Sequence, residues 1–161
     1  MHETQDYQQH LTLRASPESV YAALTTLDAL SAWWTAASGN AVQDGELTFT
    51  FAPGSVAVMR VAVEPNERVV WSVTECMMAD WVGTTIHFAL EPSAAGTSLR
   101  FRHEGLTPQL DCYLDCKSGW DHFVPNSLRD YVETGVGHPN QSDEDLARRV
   151  VREQNRATAS A

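Results

Sequence analysis

The chain has 161 residues, 43% of them hydrophobic, with 21 acidic against 11 basic side chains and a net charge of -10 at neutral pH. That length and apolar content suit one domain closing a single core without metal or disulfide staples, and so negative a surface works against nucleic acid or an acidic membrane as partner. Three cysteines, an odd number, frame no disulfide scaffold; with no apolar leader in MHETQDYQQH and no run near the roughly 18 residues of a membrane span, the expected location is the cytoplasm.

The start through QQHLTLR reads as extended. In SPESVYAALTTL, Ser16 is placed as N-cap and Pro17 at the first helical position, and Val20, Leu24 and Leu27 recur at helical spacing, which predicts a first helix. Asp28 is read as the cap of a second short helix, DALSAWW, ending at Trp33 and Trp34 before a turn cluster of Ser38, Gly39 and Asn40. From there to residue 104 the period is two. Leu47, Phe49 and Phe51 alternate with Glu46, Thr48 and Thr50, and Ala57, Met59, Val61 and Val63 share a face opposite Arg60. Val69, Trp71 and Val73 follow, then Ile86, Phe88 and Leu90, then Leu99, Phe101 and His103 alternating with Arg100 and Arg102. Turn residues at Pro53-Gly54, Glu64-Pro65-Asn66 and Pro92 to Gly96 separate these runs, so the region is an antiparallel meander with one apolar face.

Past Gly105, Cys112, Cys116, Trp120, Phe123, Ser127 and Tyr131 form one stripe of a long helix that Gly135 and Gly137 end. Pro125 inside it predicts a kink or break between Asp121 and Pro125. From Gln141 to Ala161 the chain is a polar tail. There Ser142 and Asp145 make a weak capping box, and acids at 143 to 145 precede Arg148, Arg149 and Arg152, a pattern compatible with a short helix. Its few apolar residues, Leu146, Val150 and Val151, predict a small contribution to the fold. The order predicts an α+β architecture in which a curved antiparallel sheet of six or seven strands wraps around the long C-terminal helix, with two short helices after the first strand. One domain spans 1–140, and 141–161 is an appended tail.

The segments SPESVYAAL, SAWW, GELTFTF, VAVEPNERVVWSV, GTTIHFALEPSAAGTSLRFRHEGL and GWDHFVPNSLRDYVETGVGHP, in this order and spacing over roughly residues 7 to 140, resemble the bacterial branch of the START-like (SRPBCC, helix-grip) superfamily. More narrowly, they are similar to homologues of the activator of the ninety-kilodalton heat-shock-protein ATPase. The resemblance implies the helix-grip fold and a cavity between sheet and long helix that often holds an apolar small molecule. Members of the superfamily include binding proteins, cyclases, hydrolases and co-chaperone-like domains, so the fold alone selects none of them.

Cys112 and Cys116 raise the questions of metal, redox pair and packing. Zinc needs four convergent ligands, usually in tighter recurring pairs, and a disulfide between residues one helical turn apart would strain the helix and staple nothing distant. The two thiols are therefore read as small apolar side chains, in the core or in a cavity wall. Bulky residues on several strands and tryptophans at both helical entrances supply the apolar walls of a pocket. The assigned lining is Trp33, Phe49, Met59, Trp71 and Phe101 from the early helices and the sheet, with Cys112, Cys116 and Trp120 from the long helix. His103 is its inward polar group, and Tyr113 and Tyr131 stand at the rim. The sequence holds no Ser/His/Asp set, phosphate-cradling glycine loop or carboxylate pair, so no catalytic residue, metal ligand or cofactor is assigned. The leading expectation is binding of a small apolar ligand, as a carrier or sensor. A co-chaperone-like module with a protein partner or homodimer, and a cyclase- or hydrolase-like enzyme, are the alternatives.

Overall fold

In the computed structural model, which describes residues 5–160, seven strands form one antiparallel sheet. Strand β1 (Tyr7–Leu13) is followed by helices α1 (Pro17–Thr25) and α2 (Leu27–Trp33), then by β2 (Ala36–Gly39), β3 (Glu46–Ala52), β4 (Ser55–Glu64), β5 (Arg68–Cys76), β6 (Thr85–Ser93) and β7 (Gly96–Glu104). A 3-10 turn, Ala79–Trp81, interrupts the connection from β5 to β6. The strand order is β1-β7-β6-β5-β4-β3-β2, so only β1 leaves sequence order, crossing to pair with β7. Behind the sheet run α3 (Tyr113–His122), a π-helical turn (Phe123–Leu128) and α4 (Arg129–Thr134) as one helical rod, followed by α5 (Asp143–Ser160). This is the expected α+β helix-grip architecture.

The period-two faces lie where alternation places them. Leu47, Phe49, Ala57, Met59, Val61, Leu99 and Phe101 are buried in the main core with Trp33, Trp120 and Leu128. A one-residue slip would put Glu46 and Arg60 inside instead. Phe51 departs from this set: the register shifts between Thr50 and Ala52, and a strand irregularity of this kind re-aims side chains, leaving Phe51 half-buried against Trp34.

Helix α1 starts as read, with the Ser16 hydroxyl accepting from Ser19 N and Pro17 in the first turn. Asp28 is not the cap of α2. Helices α1 and α2 are separated by Thr26 alone, whose hydroxyl donates to Ala22 O at 2.9 Å and so closes α1 rather than opening α2. Asp28 sits one position inside, in the first turn, where the helix dipole favours a carboxylate. Ser38 and Gly39 are not in a turn either: they end β2, a short edge strand in which Ala36 to Gly39 pair with Thr50 to Leu47, and Asn40 follows it.

The regular α-helix is interrupted where Pro125 predicts, α3 ending at His122, but the chain continues as a π-helical turn and does not leave the rod. The wider π-helical turn absorbs a residue that has no N–H to give and would crowd a regular turn, while the Pro125 carbonyl accepts from Arg129 Nε at 3.1 Å. Gly135 (φ 90°) ends α4 in the left-handed conformation, whereas Gly137 serves close approach, since a Cβ there would stand 2.5 Å from Ala32 O.

Helix α5 docks through its polar side chains. Leu146, Val150 and Val151 are exposed, and the polar face docks instead: Arg148 Nη1 donates to Ser118 Oγ at 3.0 Å, Arg152 Nε to Asp115 at 3.1 Å and Asn126 Nδ2 to Glu144 at 3.1 Å. Asp145 is fully buried, its Oδ1 held by Arg148 at 2.6 Å and its Oδ2 by Arg149 at 3.1 Å and by Gln141 N at 3.0 Å. No helix among the described residues is long and apolar enough to cross a membrane.

Candidate functional site

The packing of α3 against the sheet leaves a cleft of about 260 Å³ at one end of the core. It is lined by Trp34 and Phe51, by Met77, Met78 and Trp81 from the β5–β6 connection, and by Trp120 of α3. Cys116, Gly119 and Phe123 continue the α3 side, and Asn140, Asp115, Arg148 and Arg149 rim it.

Ring stacking shapes the walls. Trp81 and Trp120 lie nearly parallel, 5.9 Å between centroids and 15° between planes, and Trp34 tilts against Trp120 at 5.0 Å. Behind them a chain of polar contacts fixes both indoles. Trp120 Nε1 donates to His103 Nδ1 at 3.0 Å; an indole N–H can only donate, so the neutral ring carries its proton on Nε2 and donates it to Thr84 Oγ1 at 2.9 Å. The Thr84 hydroxyl passes its own proton to Trp81 O at 2.6 Å, and Trp81 Nε1 donates to Cys116 Sγ at 3.2 Å. Burial drives the His103 pKa down to about 3, which keeps the imidazole neutral as this chain requires. Burial also raises the Cys116 thiol, so it stands here as a soft acceptor and not as a nucleophile. No group of three or more His, Cys, Asp or Glu side chains among the described residues has the arrangement to hold a metal ion.

Of the nine lining residues assigned from sequence, the structure brings Cys116 and Trp120 into the cleft wall. Trp33, Phe49, Met59, Trp71 and Phe101 lie one layer deeper, fully or almost fully buried. They fill this space with one another: Trp33 stacks on Trp34 at 6.1 Å and donates to Ala23 O, and Phe49 lies 5.2 Å from Trp71. His103 is buried with both ring nitrogens engaged, so it orients the walls and offers no nitrogen to the cleft. Cys112 is half-buried against the core, and neither Tyr113 nor Tyr131 reaches the rim. The lining assigned from sequence omits Trp34, Phe51, Met77, Met78 and Trp81, together with the arginines of α5. A signal existed for part of this set: CMMADW places two methionines and a tryptophan in a strand connection, where apolar residues lack a local packing reason.

Two wider grooves differ in chemistry. One of about 540 Å³ between α3 and α5 is lined largely by Lys117, Ser118, Asp121, His122, Asn126 and Arg152, and one of about 610 Å³ on the sheet includes Gln8, Gln9, His10, Arg68 and Arg100. Ligand pockets are mostly apolar with a few placed polar groups, a balance the aromatic cleft meets most fully of the three.

Comparison with known proteins places this geometry. The family of Activator of Hsp90 ATPase homolog 1-like proteins matches residues 14–133. The Aha1 dimer of Colwellia psychrerythraea, solved in solution, is 35% identical, with a TM-score of 0.73 over 82% of this chain and 98% of that one. Protein MLL2253 of Mesorhizobium loti is 24% identical, with a TM-score of 0.64 over 73% and 90%, and shares the fold. DynU16, from the dynemicin biosynthetic locus, is 22% identical, with a TM-score of 0.67 over 84% of this chain and 49% of that one, and likewise shares the fold. No curated protein matches the chain.

Proposed function

The chain belongs to the Activator of Hsp90 ATPase homolog 1-like family, and from that premise we propose that it binds a small, mainly apolar molecule in the aromatic cleft, as a carrier or sensor. The observation that carries this reading is the cleft itself, about 260 Å³ walled by Trp34, Phe51, Met78, Trp81, Trp120 and Phe123. The cleft is open to solvent, so part of its apolar lining faces water instead of packing, and an exposed apolar surface of this kind marks a place where an occupant can cover it. The volume is at the small end of ligand pockets, which limits the occupant to a short chain or a single ring system.

Titration with 1-octanol tests the proposal. Bound against Trp81 and Trp120, it is expected to change tryptophan emission saturably and to raise the melting temperature, since a ligand of the native state at 100 times its Kd adds about 2.7 kcal/mol. Native mass spectrometry of freshly purified protein is expected to show an adduct. Absence of all three effects defeats the proposal.

A second reading has its own support. The Colwellia relative is a dimer, and α5 exposes Leu146, Val150 and Val151 along one side, so self-association or a protein partner suits this face. Light scattering coupled to size exclusion separates a monomer from a dimer directly.

A further inference from the structure

The cleft has an apolar body and a rim of arginines paired with carboxylates, and those arginines come from a part of the chain outside the family match. That match ends at residue 133, whereas Arg148 and Arg149 belong to α5. In a protein of net charge -10, three of the 11 basic residues, Arg148, Arg149 and Arg152, fall within five positions of this one helix.

Their engagements differ. Arg148 engages all three of its nitrogens: it forks onto Asp145 Oδ1 through Nε and Nη2, reaches Ser118 through Nη1, and lays its guanidinium 5.6 Å from the Phe123 ring. Arg152 answers Asp115 at 3.1 Å, the carboxylate that also rims the cleft. Arg149 is held at one end only. Its Nη2 meets Asp145 Oδ2 and Asn140 Oδ1, while Nε and Nη1 make no hydrogen bond to the described residues and the side chain is 43% exposed at the cleft rim. Asn140 is itself fixed by donating to Phe51 O at 3.0 Å and Thr35 Oγ1 at 3.2 Å. The guanidinium is thus anchored, oriented and supplied with unused donors beside an apolar wall. Nη2, which both chelating edges of the guanidinium share, is taken, so the free Nε–H and Nη1–H groups each offer an anion a single charge-assisted contact, and an arginine stays charged throughout the working pH range.

We infer that the cleft selects an amphiphilic monoanion, a short apolar body ending in a carboxylate or a similar planar anionic group, with Arg149 as the head-group contact. This rests on the reading of the cleft as a ligand site and names the class of ligand.

The experiment pairs octanoate with 1-octanol, which share a chain and differ in the head, in tryptophan-fluorescence titrations at pH 7.5 on wild type, Arg149→Gln and Arg149→Lys. In wild type octanoate is expected to bind about 10-fold more tightly than 1-octanol, the scale of one charge-assisted contact. That ratio is expected to fall to near one in Arg149→Gln and to recover in part in Arg149→Lys. Equal affinity of the two probes in wild type, a comparison that needs no variant, overturns the anion inference and leaves the cleft as an apolar site. A preference that persists in Arg149→Gln overturns the assignment to Arg149. No saturable binding of either probe overturns both this inference and the reading beneath it.

Discussion

Trp71 and Trp81 are the same residue in two settings, 0% and 5% exposed, and the difference between them separates core from site. Trp71 stands on β5 inside a closed ring of partners: Trp34 stacks on it at 5.8 Å and 7°, Phe88 meets it edge-on at 4.8 Å, and Phe49 tilts at 5.2 Å. Trp81 stands on a turn with Trp120 stacked on it and His103 edge-on, and the cleft beyond. The hydrogen bonds run the other way. Trp81 and Trp120 both donate their indole protons, to Cys116 and to His103, whereas the buried Trp71 Nε1 finds no acceptor among the described residues. Dense packing therefore holds the inner layer, and directed polar contacts hold the cleft walls, where packing alone cannot fix a ring.

The largest expected effect is on the inner layer. Trp71→Ala removes a fully packed side chain and is expected to cost about 3–5 kcal/mol in denaturant unfolding, with Trp81→Ala costing less because one side already lacks partners. A larger loss for Trp81→Ala would erase the contrast. Substitution by phenylalanine, which keeps most of the packing and removes the N–H, should reverse the ranking. Trp120→Phe strands the Nδ1 of a buried histidine and is expected to cost about 1–3 kcal/mol more than Trp71→Phe, which deletes a donor that already has no acceptor.

Acid sharpens the contrast further. His103 takes up its proton near pH 3 when folded and near its ordinary 6.5 when unfolded, so between those values the unfolded state binds more protons. Stability is unaffected above pH 6.5 and falls as pH drops through the window, by about 1.4 kcal/mol per pH unit for a fully displaced group. His122, also lowered by burial, acts in the same direction. Unfolding measured at pH 7, 6 and 5 is expected to show a steeper decline in wild type than in His103→Gln; equal slopes would remove His103 from the account.

How much of this the sequence carries depends on whether the cause is local. The Ser16-Pro17 helix start, the strand alternation and the stripe of Cys116, Trp120 and Phe123 are set by residues two to four positions apart, and each is readable as a pattern. The edge strand β2, the irregularity at Phe51 and the docking of α5 by its polar face depend on partners elsewhere in the chain, Leu47 to Thr50, Ser55 and Ser118. The site shows this most clearly. Inward alternation marked Phe49, Trp71 and Phe101 as pocket walls, yet inward residues fill one another's space, and the opening lies where the sheet, the Met77 to Trp81 connection and α5 meet without closing.

Gly119 offers the most direct test of the cleft as a ligand site. It lies on α3 in the lining, and a Cβ there meets only the Phe123 ring, at 4.0 Å, so a larger side chain has room to enter the cleft without displacing the core. Replacing a helical glycine also removes about 1 kcal/mol of helix penalty, so Gly119→Leu is expected to fold at least as stably as wild type. Tryptophan-fluorescence titration of both proteins with 1-octanol is expected to give a saturable change in wild type and none in Gly119→Leu; a saturable change of the same affinity in Gly119→Leu would show that binding occurs elsewhere and contradict the account.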